Sequence, residues 1–272
     1  MVFTCLGKNR IKLFHSLHLK KFRDEHAMFI AEGNKLAAEI LRSDFTIRAL
    51  IATDKWYSKV TGTEDSHKWQ TFELFGNAEE IIVESHDIIK RISLLSAPQE
   101  VLLVVSIPSY KYKTEDMKSE LALAFDDIRD PGNMGTILRI CDWFGIQNIF
   151  CSPESVDIYN PKSVQASMGS ITRTKVHYIG LEQFLKEVND AGDIPVYGTL
   201  LKGNNIYNEN LSPNGLVLFG NESSGISSVL MPFISKKIYV PDFSMHNNKP
   251  ESLNISAAAA IVCSEFRRKA ND

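Results

Sequence analysis

Three short stretches of this 272-residue chain concentrate side chains that could hold a flat, polar ligand: Asp130-Pro-Gly-Asn133-Met-Gly135, Gly220-Asn-Glu222-Ser-Ser-Gly225 and Glu251-Ser252-Leu253-Asn254-Ile-Ser256. Their glycines let the backbone approach a ligand closely, and freed N–H and C=O groups can read its edges. Other chemistries fail on residue identity. There is no G-x-G-x-x-G, and Ile226 stands where a P-loop following Gly220 and Gly225 would need lysine. Asn221, in place of glycine, breaks the G-x-S-x-G of a serine nucleophile. Gly132-Asn-Met-Gly135 imitates a KH-type GXXG without the helix order of that domain. The seven histidines never pair as H-x-x-x-H, the four cysteines form no C-x-x-C, and no carboxylates fall at metal-ligand spacing. Metal catalysis is therefore disfavoured.

Two sets of cations stand out. Arg139 follows the first stretch on a helix whose apolar side is Met134, Ile137, Leu138, Cys141 and Phe144, and it lies away from that side. It is a candidate for holding an anion; the alternative is a surface ion pair with Asp142, which would contribute little. From Lys8 to Arg23 there are six basic residues, Lys8, Arg10, Lys12, Lys20, Lys21 and Arg23, and no acid. Such a stripe is the footprint of polyanion contact, or else a solvated helix face.

The elements that position these residues follow from apolar periodicity. Ile11, Phe14, Leu17 and Leu19 fall near helical spacing, and a second helix is expected over Lys35–Arg42. Strands at Ile47–Ala52, Ile81–Val83 and Val101–Ile107, with a helix around Asp87–Leu94, make a small α/β domain over residues 1–108. Polar residues 109–120 read as a linker. From 121 to 272, strands at Leu121–Phe125, Asn148–Cys151, Val176–Tyr178, Pro195–Leu200, Leu216–Phe219 and Lys237–Val240 are separated by helices such as Asn133–Phe144 and Leu181–Val188. That alternation predicts a mostly parallel sheet with ligands beyond its carboxyl ends, where the three stretches fall. Ser252 is a plausible helix N-cap, and Cys141 and Cys263 are read as small core residues.

The composition fits an ordinary globular protein: 44% hydrophobic, 23% charged, formal net charge −3. No segment approaches the roughly 20 apolar residues a membrane span needs. Lys8, Arg10 and Lys12 interrupt the region a signal peptide would keep apolar, so a cytoplasmic address is expected.

Taken together, Asn133-Met-Gly135 with Arg139 and Phe144-Gly145, Leu218-Phe-Gly-Asn-Glu222 with Gly225, and Pro241 followed by Glu251-Ser-Leu-Asn-Ile-Ser256 resemble the signature of the SpoU, or TrmH-type, branch of the SPOUT RNA methyltransferases. The N-terminal part, with its basic helix and Phe29-Ile-Ala-Glu-Gly33, resembles the α/β substrate-binding domain often found ahead of that catalytic domain. The resemblance implies an α/β chain with a small N-terminal α/β/α domain and a catalytic parallel sheet closed by a deep trefoil knot, a rare exception to unknotted chains. It implies S-adenosylmethionine as cofactor, methyl transfer to a ribose 2′-hydroxyl of ribosomal or transfer RNA, and a homodimer paired through the catalytic domain. By motif position, cofactor contacts are expected at Thr199, Gly220, Val240, Ser252, Leu253 and Asn254, and catalytic roles at Asn133, Arg139 and Glu222, with Glu222 orienting loops. The filler 242–250 is longer than is usual in that family and bears on the contacts of Val240 and Met245. Two rival readings are an RNA-binding protein that has lost the chemistry, and a base-directed methyltransferase of the same fold.

Overall fold

The computed structural model describes residues 6–62, 75, 78–245 and 251–269. Cys5 and the second half of the lengthened filler, 246–250, lie outside the described residues. The chain forms two compact units: Met1–Ser109 with Asp157–Thr172, and Tyr110–Val156 with Arg173–Asp272.

The first unit carries a four-stranded sheet of β1 (Met28–Glu32), β2 (Ile47–Ala52), β3 (Ile81–Val83) and β4 (Val101–Ser106), in the order β1-β4-β2-β3. β4 runs antiparallel to both of its neighbours, whereas β2 and β3 are parallel. Alternate residues serve opposite faces. Ile30, Ala49, Ile51, Leu102 and Val104 share a buried cluster with Ile11, Phe14 and Leu17 at α1 (Lys8–Ser16), and with Ile89 and Ile92 of α5 (His86–Ile92). On the other face Phe29 meets Phe45 edge-on and stacks obliquely on Tyr159. Short α2 (Lys20–His26), α3 (Asn34–Leu41) and α4 (Asp54–Thr61) complete this part of the chain. Thr53 caps α4, its Oγ1 accepting from the Trp56 N–H at 3.1 Å, an arrangement typically worth about 1 kcal/mol. The segment from Asp157 adds the seven-residue α7 (Pro161–Ser167), which packs on β1. Gln165 Nε2 donates to the Glu32 carbonyl at 2.7 Å.

Five features here escape the periodicity: β1, α2, α4, α7, and the return of 157–172 to this unit. β1 ends on a buried glutamate, Glu32, 3% exposed, whose carboxylate accepts from Ser93 Oγ at 2.6 Å and Gln99 N at 3.1 Å. Those donors make burial of a charge tolerable.

The second unit is built on six strands, all parallel: β5 (Leu121–Phe125), β6 (Asn148–Cys151), β7 (Lys175–Tyr178), β8 (Val196–Asn205), β9 (Gly215–Phe219) and β10 (Lys236–Tyr239), in the order β10-β8-β9-β5-β6-β7. Central β5 and β9 are buried throughout, as a sheet covered on both faces requires. Ala122, Ala124, Phe150, Leu216 and Leu218 cluster with Phe184, Leu185 and Val188 of α8 (Leu181–Asp190). Helices α6 (Pro131–Trp143) and α9 (Ile255–Lys269) pack against each other, and Tyr197 of β8 meets Phe266 of α9 edge-on at 4.9 Å. Arg267 donates to the Phe144 and Gly145 carbonyls, so it satisfies the last turn of α6 rather than its own helix end.

Two segments differ from the sequence reading. β8 runs to Asn205, with a register break against β10 that pairs Lys237 with Gly198 but Ile238 with Asn204. The polar stretch ahead of β5 is ordered by its few apolar residues. Met117, in a 3-10 turn at Thr114–Lys118, is 2% exposed, and Tyr112 meets Phe150 and Phe184 edge-on.

Candidate active site

β5 and β9 lie side by side, with Phe125 level with Phe219. The chain leaves β5 toward β6 on one side and reaches β9 from β8 on the other, so strand order reverses between them. Loops leaving such a pair diverge and open the crevice where parallel sheets take their ligands. The first stretch leaves β5 and the second leaves β9.

The first stretch starts α6. Asp130 is its N-cap, the carboxylate accepting from the Asn133 N–H at 2.7 Å, and Pro131 sits in the first turn, where a missing N–H costs nothing. Asn133 Nδ2 donates to Glu222 Oε1 at 3.1 Å. Its Oδ1 accepts from Asn254 Nδ2 at 3.0 Å. Asn254 Oδ1 in turn accepts from the Ser256 N–H at 2.9 Å and the Ser256 hydroxyl at 2.6 Å, at the start of α9. A single carboxamide thus joins the three stretches, each in the donor or acceptor role its chemistry allows. The cap of α9 is Asn254 and not Ser252; Ser252 and Leu253 are exposed just ahead of it.

The second stretch is held from within. Asn221 and Gly225 exchange two backbone hydrogen bonds of 3.0 Å, and Asn221 Oδ1 accepts from Ser223 N and Ser224 N. A Cβ on Gly220 would lie 2.1 Å from the Gly225 carbonyl carbon and 2.2 Å from Ile226 N, so any side chain there displaces the turn. Asn221 Nδ2 also donates to the Asp127 carbonyl at 2.7 Å, and buried Asp126 accepts from Ser227 N at 2.7 Å. Sequence reasoning passed over Asp126, Asp127 and Asn221 because their partners lie about a hundred positions away. The one available signal was the run of carboxylates directly after β5.

Gly220 and Val240 lie just beyond the carboxyl ends of β9 and β10, and Thr199 lies within β8, directly after the Val196–Gly198 segment that pairs with β9. The Thr199 hydroxyl donates to the Leu218 carbonyl at 3.1 Å. Arg139 projects from α6 about 9 Å further along the helix axis than Asn133. It is exposed and forms no ion pair among the described residues. Asp142 is taken by Arg173, whose Nε lies 2.9 and 3.0 Å from its two oxygens. The Arg139–Asp142 surface pair is therefore not formed.

Cys141, Cys151 and Cys263 are buried, and burial pushes their thiols up, that of Cys263 to about 12. Among the described residues, no three His, Cys, Asp or Glu side chains converge as a metal would need. No described helix is long and apolar enough to cross a membrane.

The basic stripe belongs to the first unit and is not uniform. Lys8, Lys12, Lys20 and Lys21 are exposed. Arg10 pairs with Glu80. Arg23 is 2% exposed: its Nη1 donates to the Leu17 and His18 carbonyls, and its Nε and Nη2 reach Asp157 Oδ2 at 2.8 and 2.6 Å. With four donor contacts already made, Arg23 is an internal brace and not the phosphate contact expected of it.

The sequence model of the SpoU rRNA Methylase family matches residues 120–264, and that of the MRM3-like substrate binding domain matches residues 8–103. The chain is 27% identical over 259 residues to the 23S rRNA (guanosine(2553)-2'-O)-methyltransferase RlmP of Bacillus subtilis, covering 95% of this chain and 96% of that one. Its structure resembles a TrmH-family protein from Porphyromonas gingivalis, with TM-score 0.83, 32% identity, and 97% and 99% of the two chains covered. It also resembles the AdoMet-bound rRNA methyltransferase from Sinorhizobium meliloti, with TM-score 0.76, 26% identity, and 98% and 97% covered.

Proposed function

Because the chain belongs to the SpoU rRNA methylase family, we propose that the crevice is where a methyl group passes from S-adenosylmethionine to a ribose 2′-hydroxyl of ribosomal RNA. The protein is an S-adenosylmethionine-dependent RNA 2′-O-methyltransferase. The observation that carries the assignment to this site is the meeting of the three motif stretches on Asn133, with Arg139 on the same helix exposed and without an ion pair among the described residues.

The residues present suit the cofactor. Gly220 and Val240 follow the ends of β9 and β10, Thr199 follows the part of β8 that pairs with β9, and Ser252, Leu253 and Asn254 immediately precede α9, so backbone groups unused by the ladders are available to hold it. When bound, the cofactor supplies a methyl already activated on a sulfonium. The remaining demands fall on the chain: holding the acceptor in line, and stabilising negative charge as the hydroxyl loses its proton. Arg139 serves the second. A guanidinium is a poor base but a good partner for an RNA phosphate and a developing alkoxide. Asn133, with both polar atoms of its amide engaged, fixes the loops, and Glu222 anchors that amide rather than transferring the proton.

Lys8, Lys12, Lys20 and Lys21 of the first unit give the substrate sequence-independent phosphate contacts. The chain pairs with a second copy through the catalytic unit, a reading supported by Trp143, 85% exposed at the end of α6. Trp143→Glu should then shift a full-length dimer toward monomer in sedimentation. The cytoplasmic address rests on the substrate.

The test is transfer of labelled methyl into transcribed 23S ribosomal RNA, followed by digestion to nucleosides. Label in a 2′-O-methylnucleoside is the expected result. Label in a base would make the enzyme base-directed, and no label with normal RNA binding would leave a binding protein.

A further inference from the structure

At the root of the crevice, Arg129 is gripped on one edge and open on the other. Its Nε lies 3.0 Å from both carboxylate oxygens of Asp127, and its Nη2 lies 2.9 Å from Oδ2. Among the described residues Nη1 makes no hydrogen bond, and the side chain is 74% exposed. Asp127 is itself fixed. Its backbone is left-handed at φ +58°, its N–H donates to Ser152 Oγ at 2.9 Å, and its carbonyl and Oδ2 both receive Asn221 Nδ2. Arg129 is also the residue immediately before Asp130, the cap of the helix that carries Asn133 and Arg139.

An ion pair this exposed adds little to stability. Stability therefore does not account for an arginine braced by a carboxylate that is held at an uncommon backbone angle and secured from the neighbouring loop. Such outliers concentrate where geometry serves function. What the brace does provide is orientation: it leaves the Nη1 edge of a planar, permanently charged fork facing solvent, the arrangement that grips a phosphate with two parallel donors. Glu222 lies within electrostatic reach and, after Asp127, helps keep the guanidinium charged.

Resting on the methyltransferase reading, we propose that Arg129 is a substrate-positioning residue that clamps a backbone phosphate of the RNA strand entering the crevice, separately from Arg139. The competing anion is the carboxylate of the cofactor, and the two are separable by measurement.

The experiment compares wild type, Arg129→Ala and Arg129→Lys in the full chain, using transcribed 23S ribosomal RNA and S-adenosylmethionine. The alanine variant should raise the KM for RNA about tenfold with kcat within about twofold. It should also lower the slope of log RNA affinity against log salt by about 0.7 to 0.9, the value of one phosphate contact. Cofactor affinity and melting temperature should not change. Lysine should restore the salt slope but only part of the KM, since a point charge cannot reproduce the fork. An unchanged KM and salt slope would make Arg129 a loop brace, and a weakened cofactor titration would move it to the cofactor; either result overturns the proposal. Failure of the wild type to methylate RNA would instead strike the functional reading, while the salt slope in equilibrium binding would still judge Arg129.

Discussion

Arg23 and Arg139 occupy opposite situations in the two units. Arg23 lies in the most basic run of the sequence, yet the fold withdraws it and surrounds it with Asp157 and two carbonyls. Arg139 lies on α6, a helix of mixed character, and Asp142 one turn on is diverted to Arg173, leaving the guanidinium exposed. The difference concerns what a charge is for. A cation whose donors are satisfied inside the fold stabilises that fold, whereas a cation deprived of its neighbour is available to an incoming anion. Local charge density does not distinguish the two; the partner does.

The contrast can be broken most sharply at Arg139. Arg139→Ala should lower single-turnover methyl transfer by at least about a hundredfold, the usual cost of removing a group that stabilises transition-state charge. Melting temperature and cofactor affinity should stay near wild type. Near-normal turnover would mean that Arg139 is only a solvated residue. The complementary substitution, Arg23→Ala, should leave the chemistry of the folded enzyme intact but lower its stability by about 3 to 5 kcal/mol, because Asp157, 11% exposed, loses its partner. Denaturant unfolding measures this. Replacing both members of the pair with apolar residues of similar volume should recover much of the loss.

A smaller effect separates Arg23 from the lysines beside it. Lys20→Ala with Lys21→Ala should flatten the salt dependence of RNA affinity by about 1.5 units. Adding a change at Arg23 should flatten it no further, since a buried guanidinium releases no counterion. A further drop would return Arg23 to the RNA surface.

How much of this was legible depends on how far apart the partners lie in sequence. β2, β5 and β6 fall where their apolar runs end, because a run bounded by polar residues reports its own limits. β1 did not announce itself, since Glu32 reads as a surface residue until Ser93 and Gln99 supply its hydrogen bonds. Short α7, capped by Asn160, has too few turns to establish a period. At the site, Asn133, Glu222 and Asn254 were recognisable by residue type, order and spacing. Their mutual bonding was not, nor was the role of Asp127 and Asn221, because those contacts span 89 to 121 positions. The exchange of Ser252 for Asn254 as the cap of α9 has the same origin: both can cap a helix, and only the tie to Asn133 selects between them.

The central claim is that the three stretches act as one hydrogen-bonded device through the Asn133 amide. A double-mutant cycle on Asn133 and Asn254 tests it most directly, with the single-turnover methyl-transfer rate at saturating cofactor as the readout. Asn133→Ala, Asn254→Ala and the double variant should be strongly non-additive, the double being little slower than the worse single, as for residues that work as a unit. Losses that simply add would mean that the two amides serve the reaction independently, and would contradict the account.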